Sequence, residues 1–107
     1  MAVIEISPGI VWGGSASLFR FIVTKIQENT RIPRLSDRFA DVERGYTDLD
    51  LSDLDKTERE EVCKAISAMV SDVKRAGEDA FGGPVNFHGF LAKLEELEQM
   101  VGGARIA

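Results

Sequence analysis

Two side chains of this sequence have the chemistry of a catalyst. His88 is the only histidine and Cys63 is the only cysteine. An imidazole can act as a general base, and a thiol becomes a nucleophile when a base lies close enough to activate it. No serine or cysteine in a recognisable nucleophile elbow accompanies His88. An enzymatic hypothesis therefore rests on His88 alone or on a Cys63–His88 pair.

A structural interpretation of both residues is simpler. Cys63 follows Val62 on the apolar side of a predicted helix, where a free cysteine behaves as a small hydrophobic residue. His88 lies between Phe87 and Phe90 near the start of another predicted helix. We therefore expect no catalytic residue, and a protein that is not an enzyme.

Two glycine-rich segments could bring backbone N–H groups close to a phosphate. They are Gly13-Gly14-Ser15 and Gly82-Gly83-Pro84. Neither matches the spacing of a nucleotide-binding loop, which needs further glycines or a lysine at fixed positions. At Gly13-Gly14-Ser15 a turn and a helix cap are the simpler alternative to a weak anion site, and at Gly82-Gly83-Pro84 we expect a break between helices. We predict no cofactor.

Four aspartates between residues 48 and 55 have the alternating spacing of a calcium loop. An EF-hand also needs a glycine at its sixth position and a glutamate at its twelfth. Counted from Asp48 these positions hold Asp53 and Arg59, and counted from Asp50 the sixth is Asp55. The pattern fails in both registers, and a single cysteine and a single histidine provide no other metal site. We predict no bound metal.

The distribution of charge is more informative than these motifs. Residues 41–61 contain nine acids and three bases, a net charge of −6, whereas the whole chain has a net charge of −5. One interpretation is a solvated surface with acidic helix starts. The other is a face that docks on a basic protein. On the second interpretation, the predicted partner-binding residues are Asp48, Asp50, Asp53, Asp55, Glu58 and Glu61.

The first half of the chain predicts a short hairpin and two helices. Residues 3–6 and 10–12 are β-branched or aromatic except for Glu5, and the turn sequence Ser7-Pro8-Gly9 separates them. Ser15 or Ser17 can cap a helix over residues 16–28, in which apolar residues recur at helical spacing. A shorter helix follows Pro33 and ends near Gly45.

The second half predicts two further helices after a strand or extended loop at residues 46–52. Asp55 with Glu58, or Thr57 with Glu60, can form a capping box at the start of the third helix, and Gly77 can end it. The fourth helix is expected to begin after Asn86 as its cap and to end at Gly102-Gly103. Its apolar stripe comprises Phe87, Phe90, Leu91, Leu94, Leu97 and Val101.

These elements predict one α+β, mostly helical domain over residues 1–107. A chain of 107 residues that is 44% hydrophobic can form a core without disulfides. It has no apolar run of membrane-spanning length and no recognisable secretory signal, so we expect a cytoplasmic protein. Its negative charge disfavours nucleic acid and anionic membranes as partners.

A family resemblance adds a functional expectation. The segments Ser17–Ile26, Arg31–Leu35 and Leu49–Leu54, followed by the third helix, resemble predicted bacterial immunity proteins of polymorphic-toxin systems. The similarity covers residues 9–73 and rests on hydrophobic order and one proline. It implies an inhibitor that binds and neutralises a cognate toxin, often a nuclease, and it implies no particular binding residues.

Three functions therefore stay open. The first is an immunity-type inhibitor whose acidic segment docks on a basic toxin. The second is a homodimeric structural or regulatory subunit that uses the exposed part of a stripe formed by Phe90, Leu94, Leu97 and Val101, although core packing is the simpler use of that stripe. The third is a small enzyme that uses Cys63 or His88.

Overall fold

The fold consists of a small sheet and four α-helices in the described part of the chain. The computed structural model describes the backbone of residues 2–81 and 84–106 and the side chains of residues 2–79 and 86–102. The order of the elements is two strands, two helices, one strand and two helices. The expected α+β, mostly helical fold is confirmed.

The chain begins with an antiparallel hairpin of β1 (Ala2–Ser7) and β2 (Ile10–Gly14). Gly9 in the connecting turn has a φ of +82°, which glycine adopts without steric cost because it lacks a Cβ atom. Alternate side chains of β1 are buried, as a strand with one face on the core requires. These side chains are Ala2, Ile4 and Ile6. The predicted hairpin is confirmed.

A third strand, β3 (Asp48–Asp50), lies on the other side of β1 and runs parallel to it. The sheet order is therefore β2-β1-β3, with β2 and β3 at its two edges. Leu49 is buried, whereas its neighbours Asp48 and Asp50 are exposed. The alternation of leucine and aspartate thus gave a correct prediction of a strand with one buried face.

Helix α1 (Ala16–Asn29) begins at Ser15, whose hydroxyl accepts a hydrogen bond from the N–H of Leu18 at 3.2 Å. It ends one residue beyond the predicted boundary. A 3₁₀ turn (Pro33–Leu35) then leads directly into α2 (Ser36–Glu43), the predicted short helix after the proline. The apolar face of α1 lies in the core, and its buried residues are Leu18, Phe19, Ile22, Val23 and Ile26.

Helix α3 (Lys56–Ala76) has both of the boundaries that the sequence predicts. Of the two candidate capping boxes, the one that forms joins Asp55 and Glu58. Gly77 follows the last helical residue with a φ of +79°, and its N–H donates to the carbonyl of Val73 at 3.2 Å. A second 3₁₀ turn (Glu78–Phe81) follows it.

Both predicted boundaries of helix α4 (Pro84–Ile106) are wrong. Asn86 is the third residue of the helix and not its cap. Proline fits the first turn of a helix because the N–H that it lacks would have no helical partner there. Gly102 and Gly103 lie inside the helix. Glycine permits a helix to end but does not require it, and a helical glycine costs about 1 kcal/mol relative to alanine. Gly82-Gly83 lies outside the described residues.

The core lies between the sheet and the helices. Trp12 is fully buried, and its indole N–H donates to the carbonyl of Lys93 in α4 at 3.0 Å. Phe21 of α1 and Phe90 of α4 form an edge-to-face pair with ring centroids 5.2 Å apart. The α4 stripe belongs to this core, because Leu94, Leu97 and Val101 are buried. It does not provide the exposed face that a homodimer through this stripe would need.

Candidate functional site

The acidic segment forms one edge of the sheet and the start of α3. It comprises β3, the loop of residues 51–55 and the first turns of α3, with α2 packed beside β3. All six predicted partner-binding carboxylates therefore lie in one region. Five of them, however, have partners inside the chain.

The side chains of Asp50 and Asp55 accept hydrogen bonds from nearby backbone N–H groups. An oxygen of Asp50 accepts a hydrogen bond from the N–H of Ser52 at 2.8 Å, which closes a tight turn after β3. Asp55 accepts from the N–H of Glu58 at 2.8 Å, and the Glu58 side chain accepts from the N–H of Asp55 at 2.9 Å. These contacts satisfy backbone donors that a helix start leaves without helical partners.

Asp53 forms a two-pronged ion pair with Arg38 of α2. The two guanidinium nitrogens donate to the two carboxylate oxygens at 2.7 and 2.6 Å, and one of them also donates to the carbonyl of Asp50 at 2.7 Å. The hydrogen bond with Arg38 lowers the pKa of Asp53, and the same bond raises the pKa of Arg38. Arg38 thus fastens the loop after β3 to α2.

Glu58 and Glu61 contact the segment that precedes α2. The Arg34 guanidinium lies 3.3 Å from a Glu58 oxygen, and the backbone N–H of Arg31 donates to Glu61 at 2.7 Å. The three arginines of residues 31–38, less Asp37, therefore offset part of the acidic charge. Over residues 31–61 there are ten acids and six bases, so the net charge is −4, compared with −6 for residues 41–61.

Asp48 differs from the other five predicted residues. Its carboxylate is exposed at the sheet edge and forms no hydrogen bond or ion pair with any side chain that the structure describes. It lies in a groove of about 310 Å³ whose other lining residues are Arg38, Asp41, Tyr46 and Asp50. Tyr46 is 60% exposed, which makes it an unusually open aromatic side chain.

Three residues of this groove were not identified from the sequence. Arg38 and Asp41 lie on α2, far from Asp48 along the chain, and only the packing of α2 against β3 brings them together. Tyr46 lies two residues before the strand and follows Gly45, whose φ is +108°. An aromatic residue in a polar turn next to a strand was the available signal.

The candidate catalytic residues are far apart. Glu78 lies 3.5 Å from His88, and Lys74 lies 3.5 Å from Glu95, so α3 and α4 are antiparallel. Cys63 precedes Lys74 by 11 residues and His88 precedes Glu95 by seven. At about 1.5 Å per helical residue, they are separated by about 27 Å along the helices. The Cys63–His88 pair is therefore excluded.

The positions of Cys63, of His88 and of the first glycine-rich segment have structural explanations. Cys63 is buried in the core, and His88 is exposed beside Glu78. At the first glycine-rich segment, the hydroxyl of Ser15 caps α1, and a Cβ atom on Gly14 would lie 2.6 Å from the Trp12 ring. The predicted cap is confirmed, whereas the predicted turn is wrong, because Gly13 and Gly14 are the last residues of β2.

The described residues provide two further observations. Over residues 2–79 and 86–102, no three or more histidine, cysteine, aspartate or glutamate side chains are grouped as a metal site requires. No helix in the described part of the chain combines the length and apolar character that crossing a bilayer demands.

Comparisons with known proteins do not place the chain in a family. No family model, no curated protein and no solved structure matches it.

Proposed function

We propose that this chain is a protein-binding domain of the immunity type, which neutralises a cognate toxin by docking its acidic sheet edge on a basic surface. The observation that supports this proposal most strongly is the groove around Tyr46, whose lining carries three carboxylates and one guanidinium, those of Asp41, Asp48, Asp50 and Arg38. From here on it is called the Tyr46 groove.

The chemistry of the Tyr46 groove suits a lysine or arginine side chain of the toxin. A cation above an aromatic ring is attracted by the electron-rich ring face, at about 0.5 to 2 kcal/mol. Carboxylates beside the ring accept the hydrogen bonds of the same cation. Exposed tyrosines are also typical of the residues that contribute most to protein interfaces.

The intramolecular partners divide the six predicted residues into two roles. Asp50, Asp53, Asp55, Glu58 and Glu61 hold the loop and the start of α3 in place through the contacts described above. Asp48 keeps a carboxylate available for a partner. We therefore propose that Asp48 and Tyr46 contact the toxin and that Asp41 exchanges its exposed ion pair with Arg44 for a contact with the toxin. The other acids supply a long-range field and a rigid frame.

Inhibition then follows from covering the toxin and not from chemistry. The buried Cys63 offers no accessible nucleophile, and the exposed His88 lies beside Glu78 and far from Cys63. Both observations favour a binding protein over an enzyme. The toxin to use in experiments is the one encoded by the reading frame next to the gene of this chain.

The proposal is tested by the affinity of Tyr46→Ala for that toxin. We expect a loss of about tenfold or more, mainly through faster dissociation, because an anchoring aromatic side chain is removed. Val11→Ala is the matched control, since Val11 is 49% exposed on the opposite edge of the sheet. Equal affinities of Tyr46→Ala and wild type would refute the proposed groove, and a neighbouring gene without a toxin would refute the immunity assignment.

A further inference from the structure

The edge strand β2 presents main-chain groups without strand partners. Val3 donates its N–H to Thr47 at 2.9 Å and Glu5 accepts from Leu51 at 2.8 Å, so the main-chain groups of Val3 and Glu5 point to the β3 side. Since these groups alternate along a strand, those of Ile4 point to β2, where Ile4 faces Trp12. The main-chain groups of Val11 and Gly13 therefore point away from the sheet.

The side chains of β2 do not protect this edge. Its sequence is Ile-Val-Trp-Gly-Gly, without a charged residue or a proline. Ile10 and Val11 are 44% and 49% exposed. Proteins usually block open edges with charged residues, prolines or covering segments, because an open edge accepts another strand.

The outward groups of β2 are complementary to themselves. In an antiparallel pair of two β2 strands centred on Trp12, Val11 of one copy faces Gly13 of the other, and Gly13 faces Val11. Both facing pairs then have their donors and acceptors directed at each other, which gives four hydrogen bonds. Gly13 carries no side chain that could obstruct the exposed Val11 of the second copy.

The charge distribution favours a second copy on this edge over a charged partner. The acidic segment lies on β3, two strands away from β2, and the acid nearest to Val11 is Glu5 on β1. If two copies join through β2, five strand spacings of about 4.8 Å place their β3 strands about 24 Å apart. This separation exceeds the screening length of about 8 Å at physiological salt, so the two acidic edges repel each other weakly.

From these observations we infer that two copies of the chain associate through antiparallel β2 strands and form a continuous six-stranded sheet. This inference does not depend on the proposed toxin binding, because the Tyr46 groove lies at the outer edges of that sheet and stays accessible. A contact of one short strand is small, so we expect a dissociation constant on the order of 100 µM.

Sedimentation equilibrium of wild type, Val11→Lys and Tyr46→Lys tests this inference. Lysines at position 11 of both copies lie diagonally across the strand pair, and pairing the strands would remove water from their ammonium groups. Val11→Lys should therefore weaken dimerisation about tenfold or more, even with Glu5 beside each lysine on β1. Tyr46→Lys adds the same charge at the other edge and should dimerise like wild type. A wild type that stays monomeric up to about 1 mM, or equal dimerisation of all three proteins, would overturn the inference.

Hydrogen exchange of individual amides distinguishes strand pairing from any other dimer. The N–H groups of Val11 and Gly13 should exchange slowly at high protein concentration and quickly at low concentration, because only the dimer gives them hydrogen-bond acceptors. The N–H of Trp12 should exchange equally at both concentrations, since it points to β1 in the monomer. Concentration-independent exchange at Val11 and Gly13 in a dimeric sample would contradict the β2 contact.

Discussion

The two edges of the sheet have opposite chemistry. The β3 edge carries Asp48 and Asp50 and is held by Arg38 and Arg59, whereas the β2 edge is uncharged and is held by the buried Trp12. Charge at the β3 edge discourages pairing with another strand and suits the basic partner that we propose. The uncharged β2 edge can pair with another strand.

The net negative charge of the acidic segment is larger than the charge that remains available to a partner. Residues 41–61 have a net charge of −6, yet five of the six carboxylates predicted to bind a partner have intramolecular partners. Most of the acidic residues therefore build the β3 edge. A smaller number, with Asp48 as the clearest case, are available to a partner.

Gly14→Ala, at the end of β2, should have the largest effect on the free energy of unfolding. The added Cβ atom would lie 2.6 Å from the Trp12 ring, which cannot move because it is fully buried and hydrogen-bonded to Lys93. We expect the free energy of unfolding to fall by about 3 kcal/mol, measured by urea denaturation. Gly89→Ala in α4 is the control, since no atom lies within 4 Å of the added Cβ, and it should stabilise by up to about 1 kcal/mol. A stable Gly14→Ala protein would contradict this packing.

Removing the Arg59 guanidinium should have a smaller effect on the free energy of unfolding. This side chain donates to the carbonyls of Leu54, Ser52 and Ile6 at 3.0, 2.9 and 3.3 Å, and so joins α3 to the loop and to β1. Arg59→Met keeps the aliphatic stem and should lower the free energy of unfolding by about 2 kcal/mol. The control Arg75→Met removes an exposed ion pair with Asp72 and should change it by less than about 0.5 kcal/mol. Equal stabilities of the two variants would refute this role of Arg59.

Asp53→Asn should have the smallest effect on stability, and this effect should depend on pH. Because Arg38 lowers the pKa of Asp53 in the folded chain, the ionised carboxylate stabilises the fold above its ordinary pKa, and this stabilisation is lost as the pH falls through the lowered pKa. The pair is largely exposed, so the variant should lose at most about 1 kcal/mol at neutral pH. Urea denaturation should show this difference at about pH 6 and a smaller one at about pH 3. A difference that grows on acidification would contradict the ion pair.

Much of the fold could be predicted from local sequence signals. The capping box of Asp55 and Glu58, the Pro8-Gly9 turn and the alternation around Leu49 each encode structure over a few residues. The ends of α4 could not be predicted in this way. Glycine and proline only permit a boundary, and packing over the length of the helix decides whether the chain uses it.

The candidate site could be predicted only in part. The sequence places the acids on one segment, but it does not show that Arg38 and Arg34, more than 10 residues away, pair with Asp53 and Glu58. It also does not show that α2 lies beside β3 and completes the groove around Tyr46. Long-range contacts of this kind depend on how helices pack, and residue spacing along one chain does not contain that information.

The central claim is that the β3 edge attracts a basic toxin through its available carboxylates. Its most direct test is the association rate constant with the neighbouring toxin at low and high salt, for Asp41→Lys/Asp48→Lys and for Asp72→Lys/Glu96→Lys. Both double variants change the net charge equally, and the second reverses acids on α3 and α4 whose exposed ion pairs resemble that of Asp41 with Arg44. We predict that the first variant associates at least about tenfold more slowly than the second at low salt and that high salt reduces this difference. Equal rates for the two variants at low salt would contradict the account.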